Sequence, residues 1–386
     1  MAAAGSQALT LLVGGTNGKG SCSAYLSAML AADGYHVGTY TSPHLLRYHE
    51  RIRIDGQEID DAALLAAFAE VESARDGVAL TYFEYGTLAA LAAFAQAGCT
   101  ARVLEVGLGG RLDAVNAMAP DGSLVVSVAL DHVDWLGPDR ESIGFEKAGI
   151  FRSNRPAVCA DPEPPASLLA HAGAIGAQLI RMPEDFRAVS VGQTWRYESA
   201  QGVLEGLALP PLAGRVQLGN AAASLALLEA CLGTQRLPQL ARGLGQARLA
   251  GRFQVHRAAG VEWVLDVAHN PAAAAALAET LAALPPAARS RCIFGILDTK
   301  DAAGVLAALA PSVDEWLLVP TDSARALAPA ALSQALAQAG GGLASLWPDV
   351  ASACRAAADE ALPGERIVVA GSFHTVGPAL EFLGLS

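Results

Sequence analysis

The chain has 386 residues, of which 52% are hydrophobic and 17% charged, and its formal net charge is −12 at pH 7. This length favours two domains over one, and the composition indicates a globular protein and excludes a disordered one. The negative charge argues against a nucleic-acid backbone as the main partner. Six single cysteines without a CxxC pair, no signal peptide and no membrane-length apolar run predict a cytoplasmic protein.

A glycine-rich turn near the start of the chain has the arrangement of a phosphate-binding loop. The apolar run 11–13 predicts a buried strand, the turn 14–21 follows it, and 22–30 predicts a helix. In this context backbone N–H groups surround a phosphate, Lys19 adds a full charge, and the Ser21 hydroxyl can reach a metal ion. A glycine between Lys19 and Ser21 departs from a regular Walker A loop. Tight packing is the alternative explanation of these glycines.

Lysine is rare in this chain. Three of the 26 basic residues are lysines, namely Lys19, Lys147 and Lys300. A primary amine that is retained against such a bias is either a compact point charge or a modifiable nucleophile. The bias therefore ranks these three positions first as functional candidates.

The rest of the first half alternates between predicted strands and helices. Strands are predicted over 35–41, 102–106, 124–130, 157–160 and 178–181. Helices are predicted over 60–73, 81–97, 139–150 and 167–174. The polar stretch 45–56 is predicted as a mobile loop or a hairpin. Asp60 is a predicted N-cap, and Glu84 is either a first-turn carboxylate or a site residue.

Polar residues stand at three of these strand ends. Ser42 follows the second strand, Glu105 lies near the end of the 102–106 strand, and His132 follows the 124–130 strand. Sites in α/β folds gather at the carboxyl ends of strands, and a buried charge is costly, so these residues are candidate metal ligands, and a catalytic base is the alternative for Glu105. Such a set suits Mg²⁺ shared with nucleotide phosphates better than zinc. A structural histidine is the alternative for His132.

The pattern changes twice in the second half. Short alternating runs over 186–209 predict an antiparallel meander, and helices follow over 216–232 and 238–248. From about residue 250 the strand–helix alternation restarts and predicts a second, mostly parallel sheet. We therefore predict an α/β protein. Its N-terminal domain is a P-loop-type parallel-sheet ATPase with a small antiparallel meander, and its C-terminal domain is Rossmann-like.

Seven motifs occur along the chain in a fixed order. They are GTNGKGS at 15–21, SPH at 42–44, LEVGLGGRLD at 104–113, DH at 131–132, EKAGI at 146–150, GRF at 251–253 and DVAHNP at 266–271. Together they resemble the folylpolyglutamate synthase/dihydrofolate synthase family of the Mur-ligase superfamily. The stretches 80–86 and 134–141 are similar to the bifunctional bacterial form. The resemblance implies a central ATP-binding domain over 1–250 and a C-terminal glutamate ligase domain over 251–386.

The resemblance also implies an activity. It is an ADP-forming ligation of L-glutamate to dihydropteroate, which gives dihydrofolate, and to reduced folates, which gives folylpolyglutamates. An acyl phosphate is the implied intermediate, and ATP and two Mg²⁺ ions are the implied cofactors, with a monovalent cation left open. The implied partners are small molecules, with neither nucleic acid nor membrane, and the family is commonly monomeric.

Four alternatives stay open at this point. The first is another Mur-type amino-acid ligase. The second is a homologue with folylpolyglutamate synthase activity alone, because a longer segment precedes the loop in bacterial relatives and contributes to their dihydropteroate pocket. The third is a nucleotide-binding regulatory module without ligase activity. The fourth is a dinucleotide-dependent dehydrogenase, against which Lys19 inside the glycine turn counts.

The resemblance assigns roles to individual residues. The implied ATP-binding positions are Thr16, Asn17, Gly18, Lys19, Gly20, Ser21, Asn220, Arg252 and Asp266. The implied metal ligands are Ser42, Glu105, His132 and Lys147 as a carbamate, a modification that only a primary amine can form. The implied pterin-side positions are Thr81, Tyr82, Phe83, Glu84, Leu112, Asp113 and Ala114. Lys19 and Lys147 are the implied catalytic residues, and Lys300 and His374 lie in familiar motifs without an assigned role.

Overall fold

The computed structural model describes residues 8–385. Residues 1–7, part of the stretch in which no signal peptide was predicted, lie outside the described residues, as does residue 386. The chain divides into two units, one of Met1–Pro211 with Val216–Arg248 and one of Leu212–Arg215 with Leu249–Ser386. Within residues 8–385, no helix is long and apolar enough to cross a membrane.

The first unit is built on an eight-stranded sheet. Its strands are β1 (Leu9–Gly14), β2 (Val37–Tyr40), β3 (Ile52–Ile54), β4 (Gln57–Glu58), β5 (Ala101–Glu105), β6 (Gly122–Val125), β7 (Pro156–Cys159) and β8 (Gln178–Arg181). The order is β4-β3-β2-β5-β1-β6-β7-β8. The apolar strand β1 lies between β5 and β6 and pairs with both in parallel. Strands β3 and β4 form an antiparallel hairpin at one edge. The hairpin alternative predicted for 45–56 is therefore confirmed only from residue 52 onward, because residues 48–51 form a 3-10 helix.

Helices connect and flank these strands. They are α1 (Lys19–Ala32), α2 (Asp61–Ala74), α3 (Tyr82–Gln96), α4 (Val133–Leu136), α5 (Arg140–Ala148), α6 (Ala166–Ile175), α7 (Arg215–Leu232) and α8 (Leu237–Leu240). The Asp60 side chain accepts a hydrogen bond from the Ala63 N–H and caps α2, as predicted. The single helix predicted over 238–248 is wrong. It ends at Leu240 and continues as a 3-10 turn, in which a Cβ on Gly243 would lie 2.3 Å from the Ala28 carbonyl of α1.

The strand predicted over 124–130 is also wrong beyond Val125. After this residue the segment is no longer a strand, and its backbone bonds to the last residue of β1 and to the glycine turn that follows β1. The Val126 N–H donates to the Gly14 carbonyl at 2.9 Å, and the Ser127 carbonyl accepts from the Thr16 N–H at 2.8 Å. The apolar run therefore holds a short strand followed by a segment that packs on the loop.

A three-stranded antiparallel sheet completes the first unit and confirms the predicted meander. Its strands are β9 (Phe186–Val191), β10 (Thr194–Ser199) and β11 (Gly202–Ala208), with β10 in the middle. Trp195 and Tyr197 on β10 are fully buried. The Tyr197 hydroxyl donates to the buried Glu229 carboxylate of α7 at 2.7 Å, which ties the meander to that helix.

The second unit contains a six-stranded sheet. Its strands are β12 (Gln254–Ala258), β13 (Val261–Leu265), β14 (Ser290–Phe294), β15 (Glu315–Leu318), β16 (Leu343–Leu346) and β17 (Arg366–Ala370). Its helices are α9 (Pro271–Ala282), α10 (Ala302–Leu309), α11 (Pro329–Gln338), α12 (Val350–Glu360) and α13 (Phe373–Phe382). The order is β12-β13-β17-β14-β15-β16, and every pairing except that of β12 is parallel. The predicted α/β fold class is confirmed.

Candidate active site

The glycine turn joins β1 to α1 and has the geometry that a bound phosphate requires. Gly18 precedes the first residue of α1 and has φ +86°, a conformation that favours glycine. A Cβ there would lie 2.7 Å from Val126 and 3.0 Å from the Asn220 amide oxygen, so α7 packs directly against the turn. The first turn of α1 holds no acidic residue. The positive end of the helix dipole therefore meets no carboxylate from its own first turn.

The Lys19 side chain folds back across this turn. Its ammonium group donates to the carbonyls of Gly15 at 3.0 Å and Thr16 at 3.1 Å. These bonds hold a compact positive charge over the turn, where the sequence predicted it.

A buried amide network connects Ser21 with Asn220. The Gln217 amide nitrogen donates to the Ser21 hydroxyl at 3.3 Å. The Gln217 amide oxygen accepts from the Asn220 amide at 3.1 Å and from the Tyr25 hydroxyl at 3.2 Å. The structure thus brings two predicted ATP-binding residues together through Gln217, which the sequence analysis did not identify. Its position three residues before Asn220, one helical turn, was the available signal.

Oxygen atoms gather at the ends of β2 and β5. Glu105 is the last residue of β5 and is 4% exposed, and its Oε2 accepts from the Ser42 N–H at 3.1 Å. A buried carboxylate beside a hydroxyl residue fits a hard divalent cation. In residues 8–385, no group of three or more His, Cys, Asp and Glu side chains could hold a metal ion. A metal at Glu105 would therefore also need ligands of other types, such as hydroxyl, carbamate or phosphate oxygens.

Lys147 is a buried amine in the last turn of α5 and is 3% exposed. Burial lowers the pKa of Lys147 to about 7, the nearby positive charge of Lys19 lowers it as well, and Asp131 acts in the opposite direction. The structure therefore brings Lys147, Lys19 and Asp131 into one electrostatic neighbourhood. His132 follows Asp131 with φ +52°, and its Nε2 lies 3.8 Å from an Asp131 carboxylate oxygen.

The predicted pterin-side residues form two sets, and the first set, residues 81–84, lies at the start of α3. Thr81 and Glu84 form a capping box, in which Glu84 Oε2 accepts from the Thr81 N–H at 2.7 Å and Thr81 Oγ1 accepts from the Glu84 N–H at 3.2 Å. These bonds lower the pKa of Glu84. Glu84 is therefore a first-turn carboxylate, and a substrate role for it stays a prediction. Tyr82 is 63% exposed, and Phe83 packs over Gly107, where a Cβ would lie 2.5 Å from the ring.

The second set of predicted pterin-side residues, 112–114, follows β5. Asp113 Oδ2 accepts from the N–H groups of Gly107 and Leu108 at 3.0 and 2.9 Å, and burial raises the pKa of Asp113. The carboxylate thereby shapes the loop, and Leu112 beside it is 80% exposed. Substrate binding by Leu112, Asp113 and Ala114 stays a prediction.

The second unit brings together Arg252 and Asp266. Asp266 follows β13 and accepts from the N–H groups of Phe253 and Ala268, each at 2.8 Å. Burial raises the pKa of Asp266, and the charge of Arg252 acts against that shift. The Arg252 guanidinium lies 5.0 Å from the centre of the Phe373 ring, a cation–π distance. His374, next in α13, is exposed.

The comparisons with known proteins point to one family. A family model described as "Mur ligase, glutamate ligase domain" matches residues 251–373. The dihydrofolate synthase/folylpolyglutamate synthase of Escherichia coli is 45% identical over 371 residues, which cover 96% of this chain and 86% of that protein. The chain belongs to the dihydrofolate synthase/folylpolyglutamate synthase family. The predicted family and the predicted ADP-forming ligase class are thus confirmed.

Solved structures of this family match nearly the whole length of the chain. The E. coli FolC structure in complex with DHPP and ADP has a TM-score of 0.91 and 43% identity, with 99% of this chain and 90% of that chain covered. A bifunctional folylpolyglutamate synthase/dihydrofolate synthase with Mn, AMPPNP and L-glutamate bound has a TM-score of 0.90 and 42% identity, with 99% and 91% covered. The roles of individual site residues stay predictions.

Proposed function

We propose that this protein is an ATP-dependent ligase that adds L-glutamate to dihydropteroate and to reduced folates and releases ADP and phosphate. The observation that carries the proposal is the buried Lys147 amine, whose pKa is lowered by burial and by the positive charge of Lys19 on the glycine turn. A protein that merely binds a nucleotide phosphate has no need of a second, buried lysine whose pKa is lowered to about 7. Membership of the family supports the same reaction.

The glycine turn is the proposed triphosphate site. Lys19 neutralises charge on the outer phosphates, and the N–H groups at the start of α1, from Lys19 to Ser21, line the anion. Asn220 supports the turn at Gly18, where the two residues are in contact. In the second unit, Arg252 and Asp266 are the proposed further nucleotide-binding residues.

Four predicted metal ligands, two at the ends of β2 and β5, one after β6 and one on α5, have atoms that fit divalent ions. Ser42, Glu105, His132 and Lys147 as a carbamate are the proposed ligands, and a relative's structure holds Mn with AMPPNP. When bound, Mg²⁺ supplies charge neutralisation at the nucleotide phosphates. The neutral Lys147 amine attacks CO₂, an N–C bond forms as one C–O π bond breaks, and one proton leaves the nitrogen, which converts a buried neutral amine into a carbamate anion. A pKa of about 7 makes the reactive neutral amine abundant at physiological pH.

The proposed reaction has two steps, the formation of an acyl phosphate and the formation of an amide. The carboxylate of the acceptor attacks the γ-phosphorus of ATP, the bond to the ADP oxygen breaks, and an acyl phosphate forms. The amine of glutamate attacks the acyl carbon, phosphate leaves, and a proton leaves the new amide nitrogen. Lys19 stabilises the negative charge that develops in the first step.

The exposed apolar residues beside α3 and β5 are the proposed pterin side. Tyr82 and Leu112 leave much of their surface open to a flat, partly apolar ligand. Thr81 fixes the start of α3, and Asp113 fixes the loop that carries Leu112. We also infer a monomer, as the family resemblance implies, and a cytoplasmic location, which the six free cysteines support.

The test is ADP release with dihydropteroate and tetrahydrofolate supplied separately. We expect turnover when ATP, Mg²⁺, glutamate and either acceptor are present, and none when glutamate or the acceptor is omitted. Turnover with tetrahydrofolate alone would restrict the protein to folylpolyglutamate synthesis. Turnover with a UDP-sugar acceptor and with neither pterin would overturn the folate assignment in favour of another Mur-type ligase.

A further inference from the structure

A short segment after β6 packs along the phosphate turn. We call residues 126–129 the strap. Its backbone forms hydrogen bonds with the end of β1 and with the turn. The Val126 N–H donates to the Gly14 carbonyl, and the Thr16 N–H donates to the Ser127 carbonyl. The Thr16 hydroxyl accepts from the Ala129 N–H at 3.0 Å and also lies 3.1 Å from the Ala129 carbonyl.

One side chain of the strap binds both polar backbone groups of a single turn residue. The Ser127 hydroxyl accepts a hydrogen bond from the Asn17 N–H at 3.0 Å and donates one to the Asn17 carbonyl at 3.0 Å. These two bonds fix the orientation of the peptide groups on either side of Asn17. The second of these peptides leads into Gly18, which sits immediately before the first residue of α1.

The strap is itself held on its other side. The Val128 N–H donates to the Asp161 carboxylate at 2.7 Å, and the Val128 carbonyl accepts from Arg140 Nε at 2.9 Å. Asp161 is buried and pairs with Arg140 at 3.1 Å. Arg140 is the first residue of α5, the helix whose last turn carries Lys147. Ser127 therefore projects from a fixed backbone, so its hydroxyl can hold the turn in one conformation.

We propose that Ser127 is a positioning residue for nucleotide binding: by holding Asn17, it keeps the N–H groups that follow Asn17, at the start of α1, directed at the anion. This inference rests on the proposed nucleotide site. A preformed turn binds phosphate without paying the entropy of ordering its peptides on binding. Losing the hydroxyl removes both bonds that the strap makes to Asn17, and the bonds of Lys19 to the Gly15 and Thr16 carbonyls stay in place.

The test compares Ser127 with Ser123, which lies four residues earlier in the chain, on β6. Ser127→Ala removes both bonds to Asn17. Ser123→Ala is the matched control, because Ser123 lies on β6, is 1% exposed, and donates to the Ile150 carbonyl at 2.9 Å away from the turn. ADP affinity is measured by calorimetry without a folate, and the KM for each substrate is measured separately.

We expect S127A to weaken ADP binding and to raise the KM for ATP by about tenfold, the scale of one or two lost hydrogen bonds. The KM values for glutamate and the folate should not change, S123A should bind ADP as the wild type does, and Ser127→Thr, which keeps the hydroxyl, should restore binding. If S127A does not fold, Ser127→Cys replaces it, with a loss in the same direction expected from the weaker thiol.

Equal ADP affinity in S127A and the wild type, or an equal loss in S127A and S123A, would overturn the proposal and leave Ser127 as a structural residue. The outcome is separable from the proposed function. A protein that binds ADP and fails to ligate glutamate would overturn the ligase assignment alone, and the ADP affinities would still decide the role of Ser127.

Discussion

Lys147 combines three properties that rarely occur in one side chain. It is a primary amine in a chain that otherwise uses arginine almost throughout, it is 3% exposed, and its pKa is lowered to about 7. Each property alone has a structural explanation. Together they describe an amine that is kept neutral and reactive, which a carbamate requires.

The carbamate predicts how Lys147 variants behave. Lys147→Arg keeps a positive charge and cannot form a carbamate, and Lys147→Ala leaves space where a small carboxylate can bind. We expect both variants to lose ligase activity by at least about a hundredfold, the scale of a lost charge-stabilising group. Acetate or formate should partly restore Lys147→Ala and should leave Lys147→Arg inactive. Full activity of Lys147→Arg would contradict the carbamate.

The lowered pKa also predicts how stability depends on pH. The folded state releases the Lys147 proton near pH 7, and the unfolded chain holds it to about pH 10.5. Between these values the unfolded state binds more protons, so this residue makes stability rise with pH, and its penalty is complete below pH 7. In CO₂-free buffer, Lys147→Met should be more stable than the wild type at pH 7, by on the order of a few kcal/mol. The difference should shrink toward pH 10, as measured by urea unfolding, and a difference that stays constant would contradict the lowered pKa.

Among the elements, the turn between β1 and α1 depends most on glycine. A Cβ at Gly18 would collide with Val126 and approach Asn220, and φ there is +86°. Gly34 is a matched control, because its φ is +90° and no atom lies within 4 Å of the position of a Cβ.

We therefore expect Gly18→Ala to abolish measurable ADP binding and to destabilise the fold by about 1–3 kcal/mol. Gly34→Ala carries the backbone strain alone, so it should cost about 1 kcal/mol and leave ADP binding unchanged. Calorimetry with ADP and thermal unfolding measure both effects. Normal ADP binding by Gly18→Ala would contradict the assignment of this turn to the nucleotide.

Elements that depend on local periodicity could be predicted from the sequence. The strands β1 and β5, the meander and the Asp60 cap agree with their patterns because the apolar spacing and the cap lie within one segment. The end of β6 could not be predicted in this way. Val126 and Ser127 are as apolar or small as strand residues, and the partner that ends the strand is a turn more than 100 residues earlier.

The same limit applies to the candidate site. Lys19, Glu105 and Lys147 could be proposed as site residues because a glycine turn, a strand end and a compositional bias mark them in the sequence, and their roles stay predictions. Gln217, Ser127 and Asp161 were missed because their importance depends on hydrogen bonds to distant segments. Glu84 shows the converse, since the pattern that suggested a site residue equally describes a capping box.

At the scale of the whole molecule, one chain contains two α/β units. The first unit carries the phosphate turn, and the second unit is matched by a glutamate ligase family model. A ligase that activates a carboxylate before amide formation needs sites for a nucleotide, an acid and an amine. Chain length and the restart of the strand–helix alternation near residue 250 predicted two units, and the assignment of one function to each remains our proposal.

The ligation assay described above becomes most direct when the carboxylate oxygens of dihydropteroate carry ¹⁸O. Attack of that carboxylate on ATP places one acceptor oxygen between carbon and phosphorus, and the oxygen leaves with phosphate when glutamate forms the amide. We predict that each phosphate released with dihydrofolate carries one ¹⁸O atom, as read by mass spectrometry. Amide product accompanied by unlabelled phosphate, or ADP released without any amide, would contradict the account.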